Sequence, residues 1–146
     1  RIMSLKDGSK KMSKSELSDL SRINLTDDKD MIVNKIKKAK TDPLPMPSNI
    51  KDLDKRPEAK NLIGIYSSLS GSSLEKCVED FSGKNFSSFK ENLSQVLVEK
   101  INPISNEIRN LLKDKKYLDD ILYRGYEKAN LIAVEKIKKI HEIVGF

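Results

Sequence analysis

From residue 32 onward the apolar positions recur at three- and four-residue spacing, broken at a few points by proline and glycine, which predicts a mainly helical chain. Ile32, Val33, Ile36 and Ala39 fall on one face of a first helix. Thr26, followed by Asp27-Asp28-Lys29, marks its start, with acids at the positive end of the helix dipole, and it must stop before Pro43. Residues 41–56 read as a connection. A second helix runs from Pro57, a favoured first-turn residue, to Leu69, with Leu62, Ile63, Tyr66 and Leu69 inward. Gly71 ends it, and Ser72-Ser73 cap a short third helix carrying Leu74, Cys77, Val78 and Phe81.

The fourth helix spans roughly 86–113. Phe86, Phe89, Leu93, Val96, Leu97, Ile101, Ile104, Ile108, Leu111 and Leu112 keep helical register, and Pro103 predicts a kink. The fifth covers about 116–144. Leu118, Ile121, Leu122, Gly125, Ala129, Ile132, Ala133, Ile137, Ile140 and Val144 line one side, and Gly145-Phe146 follow its end. Ahead of the helices, residues 1–5 read as the end of a strand and residues 6–26 as loop. The fold class is mainly α: a helical bundle of about five helices preceded by a loop segment.

Composition narrows the function classes. The 146 residues suffice for one small domain with a core, and 37% hydrophobic against 34% charged residues suits a solvent-facing helical domain. No apolar run approaches membrane-spanning length and no segment reads as a signal peptide, so no membrane partner is expected. The single cysteine, Cys77, excludes an internal disulfide framework and leaves no cysteine cluster for a metal. Its neighbours Leu74, Val78 and Phe81 make it a buried structural thiol. The charge is uneven: residues 1–60 carry a balance of +5 and residues 61–146 only +1. An excess placed so fits a phosphate-bearing partner, either nucleotide or RNA. Lys35, Lys37, Lys38 and Lys40 read more plainly as the wet face of the first helix.

One segment carries recognisable chemistry. Lys11-Met12-Ser13-Lys14-Ser15 places two ammonium groups three residues apart among small hydroxyl residues. Asp7-Gly8 just upstream is a turn signal, which argues for a loop. A mobile cationic loop can close on a polyphosphate and neutralise charge as pyrophosphate departs. A run of Lys and Ser is also a common solvated linker or general basic patch.

The surroundings of that pentapeptide bear on the choice between these readings. The chain resembles the bacterial-type tryptophanyl-tRNA synthetases, in which Lys-Met-Ser-Lys-Ser is a class I signature. The resemblance rests on Arg1-Ile2-Met3-Ser4-Leu5 before the lysine loop, Ile36-Lys37-Lys38-Ala39-Lys40-Thr41-Asp42, Asn61-Leu62-Ile63-Gly64-Ile65-Tyr66 and Leu69-Ser70-Gly71. It continues through Gly83-Lys84, Phe89-Lys90, Glu127-Lys128-Ala129-Asn130 and Val144-Gly145, in matching order. Residues 43–57 depart from it, being longer and richer in proline.

The resemblance implies the following. Residues 1–26 are the end of a Rossmann-type catalytic domain, and residues 27–146 are an α-helical anticodon-binding domain. The nucleotide-binding fold, with a His-x-Gly-His signature and the tryptophan pocket, would lie upstream, so the chain is expected to be a C-terminal fragment that is inactive alone. Lys11 and Lys14 would be the catalytic cations. Ile2, Lys11, Met12, Ser13, Lys14 and Ser15 would bind ATP, with Ile2 beside the adenine mainly through its backbone. Mg2+ would arrive with ATP, held by phosphates and water, with no metal site in this chain. The partners implied are ATP, tryptophan, tRNA(Trp) and, for the full-length protein, a second copy as a homodimer, in the cytoplasm. Single-stranded bases are read by stacking and edge contacts. Among Tyr66, Tyr117, Tyr123, Tyr126 and the cations Arg109, Lys113, Lys115, Lys116 and Arg124, the candidates are Arg109, Tyr123, Arg124 and Tyr126. The alternative is a stand-alone basic helical module that binds RNA without catalysis.

Overall fold

The computed structural model describes residues 1–145, and Phe146 lies outside them. A short antiparallel hairpin, β1 (Met3–Ser4) and β2 (Asp7–Lys11), comes first. A 3-10 turn at Asp19–Ser21 follows, and then six helices. These are α1 (Lys29–Lys38), α2 (Ile50–Leu53), α3 (Pro57–Ser70), α4 (Leu74–Phe81), α5 (Phe86–Lys113) and α6 (Lys115–Val144). The chain is mainly α, as the periodicity predicts. It divides into two compact units, Arg1–Asn106 and Glu107–Phe146, with the boundary inside α5.

Local chemistry accounts for most helix ends. Pro57 occupies the first turn of α3, where its missing N–H costs nothing, and Gly71 closes the helix at φ 74°. Ser73 caps α4 by accepting the Lys76 N–H, and Asp114 caps α6 by accepting that of Tyr117. The cap of α1 is Asp28, whose carboxylate accepts the Met31 N–H, two residues later than the Thr26 start expected from sequence.

The core of the first unit gathers Leu5, Ile32, Ile36, Leu53, Leu62, Ile63, Cys77, Phe81, Phe89, Leu93 and Leu97. Phe81 packs edge-to-face on Tyr66 (centroids 5.0 Å) and on Phe89 (4.9 Å). Tyr66 is therefore a core aromatic rather than a base platform. Cys77 is buried as expected, and desolvation raises its thiol pKa.

The connection between α1 and α3 is pinned despite its prolines. Arg56 forks onto Asp42 (Nε to Oδ2 2.9 Å, Nη2 to Oδ1 2.6 Å) and donates to the Pro45 carbonyl at 2.7 Å. Met46 exchanges backbone hydrogen bonds with Gly83 and Lys84, and is itself buried. The one-turn helix α2 within this stretch was not foreseen.

Three other expectations need correction. Residues 6–26 are not loop throughout. The turn falls at Leu5-Lys6, and Asp7-Gly8 opens β2 instead of turning. Gly8 is required there because a Cβ would lie 2.6 Å from the Pro57 carbonyl group, so β2 lies directly on the start of α3. Lys35 is not on a wet face: it is 3% exposed and ion-paired. Finally, the apolar stripe of α6 exists but lines no core. Leu118 is half-buried and the other stripe residues are exposed, as are Ile104, Leu111 and Leu112 of α5. Periodicity reports that a face is apolar, whereas burial needs a second surface against it.

Candidate functional site

The hairpin presents the lysine loop. Lys11 ends β2, and Met12–Ser15 continue as a turn in which the Ser13 hydroxyl accepts the Ser15 N–H (3.2 Å). The Ser13 carbonyl accepts the Glu16 N–H at 3.4 Å. Lys11, Ser13, Lys14 and Ser15 are exposed, and Met12 is half-buried. Neither Lys11 nor Lys14 forms an ion pair among the described residues, whereas Lys10, Arg22, Lys35, Lys40, Arg56 and Lys60 do. Two uncommitted ammonium groups on one short exposed turn are what an arriving polyanion requires.

The Ile2 carbonyl accepts the Met12 N–H at 3.3 Å, so the backbone of Ile2 and the loop are directly joined. Ile2 and Met12 also line a small apolar hollow of about 190 Å³ with Leu5, Ile23, Ile65 and Leu69. All six proposed nucleotide contacts thus come together at one end of the hairpin. A larger cavity, about 660 Å³ between α1 and α5, shares no lining residue with the loop.

Both arms of the loop are anchored, through residues that sequence reasoning did not single out. On the incoming arm, the Leu5 N–H donates to the Ser21 carbonyl (2.9 Å) and its own carbonyl accepts from the Lys40 N–H (2.7 Å). The Asn61 side chain holds both backbone groups of Met3. On the outgoing arm, the Lys35 ammonium sits 2.7 Å from Asp27 and 2.6 Å from Asp19. Asp27, 2% exposed on its side chain, also accepts the Asn24 N–H at 2.8 Å. Hydrogen bonds from Lys35 and Asn24 hold the Asp19 carboxyl below its usual pKa. On β2, the Ser9 hydroxyl and N–H do the same for Asp7. The signal that could have flagged Lys35 is its place in register with Ile32 and Ile36, both fully buried.

The candidates for RNA contact lie in the second unit. Tyr123 and Tyr126 are 61% and 59% exposed, with ring centroids 6.1 Å apart at 39°. With Arg124, Glu127, Lys128 and Leu131 they border a shallow hollow of about 510 Å³. Arg109 lies on α5 and is half-buried. Among the described residues no group of three or more His, Cys, Asp or Glu side chains is placed to hold a metal ion, and no helix is long and apolar enough to cross a membrane.

The sequence model of the class I tRNA synthetases (W and Y) matches residues 1–103, and the chain belongs to that family. Within it, the chain is 51% identical over 145 residues to a tryptophan–tRNA ligase of Mesorhizobium japonicum, covering 99% of this chain and 41% of that protein. It is 50% identical over 146 residues to a tryptophan–tRNA ligase of Rickettsia felis, covering 44% of it. The crystal structure of tryptophanyl-tRNA synthetase from Mycoplasma pneumoniae superposes with a TM-score of 0.67 at 26% identity, over all of this chain and 45% of that one. The chain thus spans well under half the length of the relatives it matches.

Proposed function

We propose that this chain is the part of a tryptophan–tRNA ligase that closes on the phosphates of ATP and carries a helical tRNA-binding region. The observation that carries the reading is the pair Lys11 and Lys14, exposed and without ion-pair partners among the described residues on an anchored turn, in a chain half identical to tryptophan–tRNA ligases. In the complete enzyme the tryptophan carboxylate attacks the α-phosphate of ATP. The bond to the bridging oxygen breaks, and tryptophanyl-adenylate and pyrophosphate form. A ribose hydroxyl at the tRNA 3′ end then takes the tryptophanyl group and AMP leaves.

Lys11 and Lys14 act in the first step. Negative charge accumulates on the departing pyrophosphate, and two ammonium groups held near it lower the barrier without being consumed. Met12, Ser13 and Ser15 shape the turn, and Ile2 offers backbone to the adenine. Mg2+ enters with the nucleotide, held on phosphate oxygens and water, and needs no carboxylate cage in this chain. The partners in this reading are ATP, tryptophan and tRNA(Trp), with the full-length protein a homodimer in the cytoplasm. The functional division falls at residue 26, and Arg109, Tyr123, Arg124 and Tyr126 contribute to tRNA contact; the exposure of the two tyrosine rings supports their part in it.

The test is amino-acid-dependent ATP–pyrophosphate exchange by the full-length protein, wild type beside Lys14→Ala. Exchange with tryptophan alone, falling roughly 10²–10³-fold in the variant, is the expected result, the loss typical of one donor to developing charge. No exchange with any amino acid would reject the ligase reading in favour of a basic RNA-binding module.

A further inference from the structure

On its incoming side the lysine loop is carried by the hairpin, through β2 and the Met12 N–H to Ile2 carbonyl bond. That hairpin is weak. β1 has two residues, the pairing is irregular between Met3 and Ser4, and a two-stranded ribbon is marginal in water. A side chain from another element supplies what the ladder lacks. Asn61 on α3 is 7% exposed. Its Oδ1 accepts the Met3 N–H at 3.0 Å, and its Nδ2 donates to the Met3 carbonyl at 3.1 Å and towards that of Ser4 at 3.5 Å.

We propose that Asn61 is a positioning residue for the lysine loop, fixing Met3 and, through it, the Ile2–Met12 link that places Lys11 and Lys14. Several observations argue for this over a role in general stability. Every hydrogen bond shown for the Asn61 side chain goes to β1. The flanking residues Leu62 and Ile63, fully buried, seat α3 in the core without it. The chain of bonds is also short: Asn61 holds Met3, and the neighbouring Ile2 carbonyl receives Met12 within the loop itself. A primary amide offers an acceptor and a donor side by side, the pair that the Met3 N–H and carbonyl require. An aspartate keeps the acceptor and loses the donor, and alanine loses both.

This inference rests on the phosphate-loop reading above. The test is ATP–pyrophosphate exchange by the full-length protein for Asn61→Ala and Asn61→Asp, each alone and combined with Lys14→Ala, beside thermal unfolding. The expected loss for Asn61→Ala is on the order of 10²-fold in kcat/KM for ATP, the scale of a misplaced catalytic group. KM for tryptophan stays within about threefold, because a uniform binding loss is not involved. Asn61→Asp keeps the acceptor for the Met3 N–H but turns a carboxylate oxygen onto the Met3 carbonyl, and loses at least as much as Asn61→Ala. In the Lys14→Ala background the Asn61 effect shrinks to less than about a third, since residues that act as a unit are not additive.

Equal losses in both backgrounds, or unchanged ATP kinetics in a folded variant, would overturn the proposal. If Asn61→Ala does not fold, the cycle with Asn61→Asp decides by the same criterion. Failure of the wild-type protein to exchange with tryptophan rejects the ligase reading itself, and is distinguishable because it precedes any variant.

Discussion

Lys35→Ala tests the buried charge cluster behind the lysine loop. The wild-type ammonium is 3% exposed and lies 2.7 Å from an Asp27 carboxylate that is 2% exposed, with Asp19 at 2.6 Å on the solvent side. Removing Lys35 leaves the buried Asp27 carboxylate without its ion-pair partner, with the Asn24 N–H still bonded to it. Breaking one side of a buried pair costs about 3–5 kcal/mol. With a urea dependence of about 2 kcal/mol per molar, the unfolding midpoint falls by roughly 2 M. The assay is urea unfolding of the 146-residue chain followed by far-UV circular dichroism, with Lys38→Ala as control. Lys38 is exposed on the same helix, and its removal stays within about 0.5 kcal/mol. The double variant Asp27→Asn, Lys35→Met removes both charges and should recover most of the loss, within about 2 kcal/mol of wild type. The reasoning fails if Lys35→Ala unfolds within about 1 kcal/mol of Lys38→Ala, or if the double variant is less stable than the single.

Other outcomes follow from the same geometry. Gly8→Ala should destabilise the first unit by about 1–3 kcal/mol, because its Cβ meets the Pro57 carbonyl group at 2.6 Å; wild-type stability in calorimetry would contradict this close approach. Gly64→Ala, inside α3 with nothing within 4 Å of the new methyl, should stabilise by about 0.5–1 kcal/mol, and a loss of stability would count against that open space. Burial works against the Asp42 charge, but the Arg56 fork and the Leu44 N–H outweigh it and hold the carboxyl below its ordinary value. The folded state therefore binds fewer protons than the unfolded one. The contribution is present above about pH 4 and is lost as pH falls through the folded value, so Asp42→Asn should flatten acid unfolding followed from about pH 6 to pH 3. An equally steep acid profile in the variant would assign the sensitivity elsewhere.

The legible parts of this fold are those written in local chemistry. Pro57 and Gly71 bound α3 where the sequence places them, and Ser73 caps α4, because caps depend on neighbours in the chain. The lysine loop was legible for the same reason: its cations and hydroxyls are contiguous. What holds the loop was not. Asn61 and Met3 are 58 residues apart, and nothing in either residue type announces the other. Lys35 carries the same letter as its exposed neighbours Lys37 and Lys38, and only its register with Ile32 and Ile36 betrays burial. The hairpin was missed because its turn, Leu5-Lys6, uses no turn-forming residue and β2 rests on the start of α3 through Gly8. For α6 the pattern was read correctly, but an apolar stripe does not say what meets it.

The buried thiol of Cys77 makes the first unit its own clock. It is the sole cysteine, enclosed in the core beside Val78 and Phe81, and burial keeps it protonated and inert. An alkylating reagent therefore modifies it only while the unit is open. The ratio of its labelling rate to that of a free thiol reads the opening equilibrium, with no added probe. Events confined to α6 leave that clock unchanged, whereas loosening of the core that supports the lysine loop makes it run faster.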